Sequence, residues 1–97
     1  MQTLPSIRSY GDYKSGNYGA HSLRVDIGSL SLYFSYETVI AFQDNAGLVV
    51  RENDWSTTTG KHLNWVDGGG EAKKKRLPSQ AFEDALTAKL ASYGLAK

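Results

Sequence analysis

The chain contains no cysteine. Disulfides, zinc–thiolate sites and thiol catalysis are therefore excluded. No apolar run approaches the ~18 residues that a membrane-spanning helix needs. Met1 to Arg8 holds no apolar stretch of the kind a secretory signal carries. Charge of one sign is also lacking, since 11 cations face 10 anions and the net charge is +1. That balance rules out an acidic mimic of DNA and a strongly basic nucleic-acid coat. These absences lead to the expectation of a cytoplasmic protein without membrane contact. What remains is sufficient for a core. The 97 residues are 40% hydrophobic and 11% aromatic, and a chain of that length buries roughly 65% of its unfolded surface. Neither a linker nor an internal repeat divides it, so residues 1–97 read as a single domain.

The clearest local pattern is HSLRVDIGSLSLYFSY, His21 to Tyr36. Leu23, Val25 and Ile27 alternate with polar residues. After Gly28-Ser29 the parity flips to Leu30, Leu32, Phe34 and Tyr36. Two strands joined by a two-residue turn require that flip, and a Gly-Ser turn suits it. The implied pairs Ile27/Leu30, Val25/Leu32 and Leu23/Phe34 belong to the core face. Arg24/Tyr33 and Asp26/Ser31 belong to the other face. A second hairpin is predicted over Thr38 to Asn53. Its turn is Asp44-Asn45-Ala46-Gly47, and its two arms lack strict alternation, which suggests strands covered on both faces. Ile7 to Tyr10 reads as a short edge strand, and Gly11 to Gly19 as an exposed loop.

His62 to Val66 places Leu63 and Trp65 out of phase with His62, Asn64 and Val66, the pattern of one more strand. Gly68-Gly69-Gly70 then reads as a flexible tip. The C-terminus reads as a helix. Ser79 is its candidate cap, Phe82, Ala85, Leu86, Leu90 and Tyr93 form one apolar stripe, and Gly94 is its stop. The stripe needs a sheet to cover. The expected fold is therefore α+β, a mostly antiparallel sheet of about five strands packed against one C-terminal helix.

Chemistry is harder to place. Thr57-Thr58-Thr59-Gly60-Lys61-His62 resembles a phosphate loop only superficially. Trp55 stands where the first glycine belongs, and His62 stands where a hydroxyl would meet magnesium, so that reading is rejected. His62 beside Lys61 could act as a general acid or base, but no orienting carboxylate and no nucleophile can be assigned. Two histidines without a third ligand do not make a metal site. The expectation is a protein that is not an enzyme and has neither cofactor nor metal. The strongest functional signal is Lys73-Lys74-Lys75-Arg76, four consecutive cations ahead of a helix N-terminus that is already positive. With Lys61, His62, Tyr13 and Tyr18 they form the candidate binding set. Tyr10, Tyr33 and Trp55 are further aromatics expected on loops or on the non-core face. Exposed aromatics beside cations serve single-stranded nucleic acid and protein partners alike.

WSTTTGKHLNWVDGG, Trp55 to Gly69, with the following KKKRLPSQAFEDAL, resembles a group of short uncharacterised phage and bacterial proteins. SYGDYKSGNYGAHSLRVDIGSLSLYFSY is similar to the same group. The resemblance implies a phage or mobile-element accessory protein working inside a bacterial cell. The expected function is a binding module for nucleic acid or a nucleic-acid-associated protein. The alternative is a protein-binding inhibitor of a host defence system or host enzyme, similar to anti-CRISPR proteins, without nucleic-acid contact. The partner, nucleic acid or host protein, stays open at this level.

Overall fold

The computed structural model describes residues 6–10, 22–53 and 57–95. Five strands form one antiparallel sheet in sequence order: β1 Ser6–Ser9, β2 Leu23–Ile27, β3 Leu30–Ser35, β4 Thr38–Asp44 and β5 Gly47–Val50. Helix α1, Thr57–Asp67, follows. A 3-10 helix over Gly70–Lys75 then leads to α2, Ser79–Ser92. The fold is α+β, with a helix on each face of the sheet.

The first hairpin has the predicted register, with Ile27 opposite Leu30, Val25 opposite Leu32, Asp26 opposite Ser31 and Arg24 opposite Tyr33. Gly28 turns it at φ 61, a value that costs glycine nothing. In the second hairpin the Asp44 side chain accepts a hydrogen bond from the Ala46 backbone N–H, the local bond expected of an Asx turn. Its irregular alternation has a definite cause. Between β3 and β4 the register steps from Tyr33/Ala41 to Phe34/Val39. Ile40 is thus the extra residue of a β-bulge, and it joins Ala41 in the same core cluster.

Alternate rungs of the sheet have opposite fates. One rung runs Ile7, Val25, Leu32, Phe42 and Val49 across all five strands. Its inner part meets α2, where Leu30, Leu32, Phe42 and Phe82 are buried together. The stripe Phe82, Ala85, Leu86, Leu90 and Tyr93 packs there as expected. The helix ends in a Schellman arrangement. Leu95 N–H bonds the Leu90 carbonyl and Gly94 N–H bonds that of Ala91, with Gly94 at φ 75. The cap differs from expectation. Pro78 occupies the cap position, and the Ser79 hydroxyl accepts from Arg51 Nη2 at 2.7 Å instead. The outer part of the rung is also different. There Leu23 and Val25, with Ile7, Phe34, Tyr36 and Glu37, line an open groove of about 330 Å³.

The neighbouring rung runs Arg8, Arg24, Tyr33, Ala41 and Val50. In the first hairpin it belongs to the face read as the non-core one, whereas the strands of the second hairpin were expected to be covered on both faces. In fact α1 covers it, burying Tyr33, Ile40, Ala41 and Val50 with Leu63. The expected strand at His62–Val66 is therefore corrected to a helix. Thr59, His62 and Leu63 are buried and Val66 half-buried. Those spacings of three and four residues are helical. The pattern escaped notice because two of its four inward residues are polar. Thr, Gly and Asn are weak helix formers, so packing on the sheet, rather than propensity, sustains α1.

Candidate functional site

The polar residues of the α1 face divide into a buried group and a surface group. In the buried group, His62 is 0% exposed. Its Nδ1 shares a hydrogen bond with Ser35 Oγ at 2.6 Å, and Ser35 Oγ shares another with Thr59 Oγ1 at 3.1 Å. The Tyr10 ring lies edge-on to both Tyr33 and His62, and its hydroxyl donates to the Phe34 carbonyl. Tyr10 and Tyr33 are thus packing residues of this layer and not exposed aromatics. A serine and a histidine at 2.6 Å form the pair a hydrolase would use, yet both are sealed beneath α1. Their geometry fastens a helix to a sheet.

The four-cation run is divided in the same way. Arg76 is buried, contrary to a solvated cluster. Its Nε donates to Asp67 Oδ2 at 2.7 Å, and its Nη2 donates to Asp67 Oδ1 at 2.8 Å and to Asn64 Oδ1 at 3.1 Å. The Arg76 and Asp67 side chains are each only 6% exposed. Burial pushes the Asp67 carboxyl up, but the hydrogen bonds from Arg76 and the Gly69 N–H and the Arg76 charge outweigh it and hold it below its ordinary value.

The glycines complete this latch. Gly68, Gly69 and Gly70 take φ values of 87, 67 and 55, a left-handed run open to glycine and strained for other residues. A Cβ at Gly69 would also sit 3.0 Å from Asn64 Oδ1. The triple glycine is consequently a defined tight connection, not a flexible tip. It folds the 3-10 helix back onto the last turns of α1. Lys73, Lys74 and Lys75 remain exposed on that turn, with Lys74 Nζ 3.0 Å from Glu71.

The outer side of α1 presents Lys61, Asn64 and Trp65. Trp65 is 49% exposed. Lys61 and Trp65 are four residues apart, so they stand one above the other on the helix surface. The latch residues Asn64 and Asp67 flank Trp65 in sequence, so the lysine turn is anchored to the same end of the helix. Of the candidate binding set, the fold places Lys61, Lys73, Lys74 and Lys75 at the surface and withdraws His62 and Arg76 into the interior. Tyr13, Tyr18 and Trp55 lie outside the described residues. Trp65 was missed because a strand reading put it on one face with Leu63. The i, i+4 spacing from Lys61 would have revealed it once the segment was read as a helix.

A cleft of about 160 Å³ between β5 and the lysine turn is lined by Leu48, Val50, Asp67, Ala72 and Lys75. Among the described residues no three His, Asp or Glu side chains gather in metal-holding geometry, and no helix is long and apolar enough to cross a membrane.

The chain belongs to a family of unknown function, DUF8033, whose model matches residues 6–84. That span takes in the whole sheet, α1, the latch and the start of α2. No curated protein and no solved structure matches the chain.

Proposed function

We propose that the protein is a small non-catalytic binding module. Its surface of Lys61, Trp65 and the Lys73–Lys75 turn contacts nucleic acid or a nucleic-acid-associated protein. One observation carries this reading. Lys61 and Trp65 sit one helical turn apart on the outside of α1, and the turn that carries three exposed lysines is tied to the C-terminal part of that helix by a buried Arg–Asp pair. Ammonium groups supply phosphate attraction independent of sequence, and an outward indole supplies a contact plane. The non-catalytic part is supported by the burial of Ser35 and His62, which leaves no approach for a substrate. The resemblance to short phage and bacterial proteins supports an accessory role inside a bacterial cell.

The test is a salt titration of oligonucleotide binding. Affinity should fall steeply with salt. Changing Lys61, Lys73, Lys74 and Lys75 to Gln should flatten the log–log slope by about three units while the melting temperature stays put. A salt-insensitive affinity would remove the reading's support.

A second reading, an inhibitor that docks on a host protein, is favoured by the open apolar groove under Ile7 and Tyr36, which are 64% and 49% exposed. Such a protein would show no oligonucleotide binding at any salt, and the lysine changes would slow its association with the partner.

A further inference from the structure

We propose that Arg8 and Arg24 form a binding site for a phosphoryl group on the β1–β2 side of the sheet. The site uses none of the residues of the α1 surface and does not depend on the binding reading above.

The two arginines face each other across β1 and β2, and cross-strand partners stand about 4.5–5.5 Å apart at Cβ. They continue the rung whose inner members Tyr33, Ala41 and Val50 are buried with Leu63 of α1. Like charges placed directly opposite destabilise a sheet. A carboxylate answers them. Asp26 Oδ1 accepts from Arg24 Nε at 2.7 Å, and Asp26 Oδ2 lies 3.6 Å from Arg8 Nε. Burial pushes that carboxyl up, but hydrogen bonds from Ser31 and Arg24 and the charges of both arginines hold it below its ordinary value. It is therefore an anion at neutral pH. Two guanidiniums against one carboxylate still leave a positive surplus.

Arg24 is held ready for a ligand. Its Nη2 donates to Ser31 Oγ at 3.0 Å, and its guanidinium carbon lies 5.4 Å from the centre of the Tyr33 ring. That ring is fixed in turn. Tyr33 is buried, its hydroxyl donates to Gln43 Oε1 at 3.1 Å, and Tyr10 lies edge-on against it. Nε and Nη2 of Arg24 are thus engaged, while among the described residues Nη1 has no acceptor. A guanidinium already immobilised loses little entropy when an anion joins it. Arg8, with a side chain 61% exposed and only a long contact to Asp26, is a mobile second donor beside it. A carboxylate is satisfied by the fork of one arginine. A phosphoryl group directs oxygens to several sides, so it can accept from Arg24 Nη1 and from Arg8 together. The group can come from a nucleic-acid backbone or from a free phosphate ester, and the contacts are the same.

NMR of the arginine side-chain N–H groups tests the site, with inorganic phosphate and then an oligothymidylate titrated at an ionic strength held constant with chloride. Phosphate should shift the Arg24 and Arg8 signals saturably, and chloride should leave them in place. Arg8→Gln should weaken phosphate binding by about tenfold, with an unchanged circular dichroism spectrum because Arg8 is exposed. Saturation by the oligothymidylate as well, lost in Arg8→Gln, would identify a backbone phosphodiester as the source. Saturation by phosphate alone would identify a free phosphate ester. Arginine signals that ignore phosphate or follow chloride equally, or an Arg8→Gln affinity equal to wild type, would overturn the proposal. That failure leaves the lysine surface to its own salt titration.

Discussion

The two faces of the sheet are built from one set of strands by opposite means. On the α2 face, Leu30, Leu32, Phe42 and Phe82 form one buried apolar cluster, with the Arg51 guanidinium over the Phe82 ring, and non-directional apolar burial supplies most of the driving force. On the α1 face the buried set includes Ser35, Thr59 and His62, with the Asp67–Arg76 pair at the helix end. Here each polar group needs a partner at a fixed distance, because an unsatisfied one is costly in a low dielectric. The α2 face therefore tolerates imprecision and gives strength. The α1 face demands geometry and gives placement, which is what a surface built on the outside of α1 requires.

The sharpest break of that contrast is in the apolar layer. Phe82→Ala should lower unfolding free energy by about 3–5 kcal/mol, read from urea denaturation, because it empties a fully buried site against Phe42. A loss below about 1 kcal/mol would show that α2 is not held through this residue.

In the polar layer, Asp67→Ala strands Arg76 and should cost about 3 kcal/mol. It should also weaken oligonucleotide binding, since the lysine turn loses its anchor. Stability lost with binding retained at saturating protein would show that the latch does not position the lysines.

Acid should expose the same difference. The carboxyl of Asp67 is held low by Arg76, and that of Asp44 by the hydrogen bond and charge of Lys89, with help from the Ala46 N–H. A carboxyl with a folded-state pKa below its unfolded value contributes stability that is fully present above the unfolded pKa. That contribution is lost as pH falls through the depressed value, so the melting temperature should drop progressively between about pH 5 and pH 2. In Asp67→Asn this decline should be shallower. An identical acid limb in wild type and variant would show that Asp67 is not a source of it.

Smaller again is the buried hydroxyl. Ser35→Ala leaves His62 Nδ1 without its 2.6 Å partner and should cost about 1–3 kcal/mol in thermal or urea unfolding. The smallest effect on the fold belongs to the exposed turn. Lys73, Lys74 and Lys75 changed together to Gln should shift stability by no more than about 1 kcal/mol, while the salt slope of binding flattens. Arg76→Gln, in contrast, should destabilise, which splits the basic run into three surface cations and one interior one.

The strands were legible in the sequence because alternation is a local property. The parity flip about Gly28-Ser29 was enough to set the register of β2 and β3. The α2 stripe was legible for the same reason, since Phe82, Ala85, Leu86 and Leu90 are apolar at helical spacing. The α1 segment was not. Two of its four inward residues, Thr59 and His62, are polar, and Thr and Gly argue against a helix. Only a sheet face offering Ser35 and Tyr33 at the right places makes them a buried stripe.

What the sequence by itself determined is the β-rich first half, the register of its first hairpin, and the apolar helix that closes one face, all dictated by periods of two and of 3.6 residues. Which cations and aromatics reach solvent was decided by tertiary structure alone. Arg76 and His62 have the composition of surface residues, but each finds a partner only when α1 lies on the sheet and three left-handed glycines turn the chain back on it. Trp65 faces outward because that same docking spends the helix's inward side on Thr59, His62, Leu63 and Val66. A side chain's exposure depends on what the rest of the chain places against it, and residues far apart in sequence made that choice.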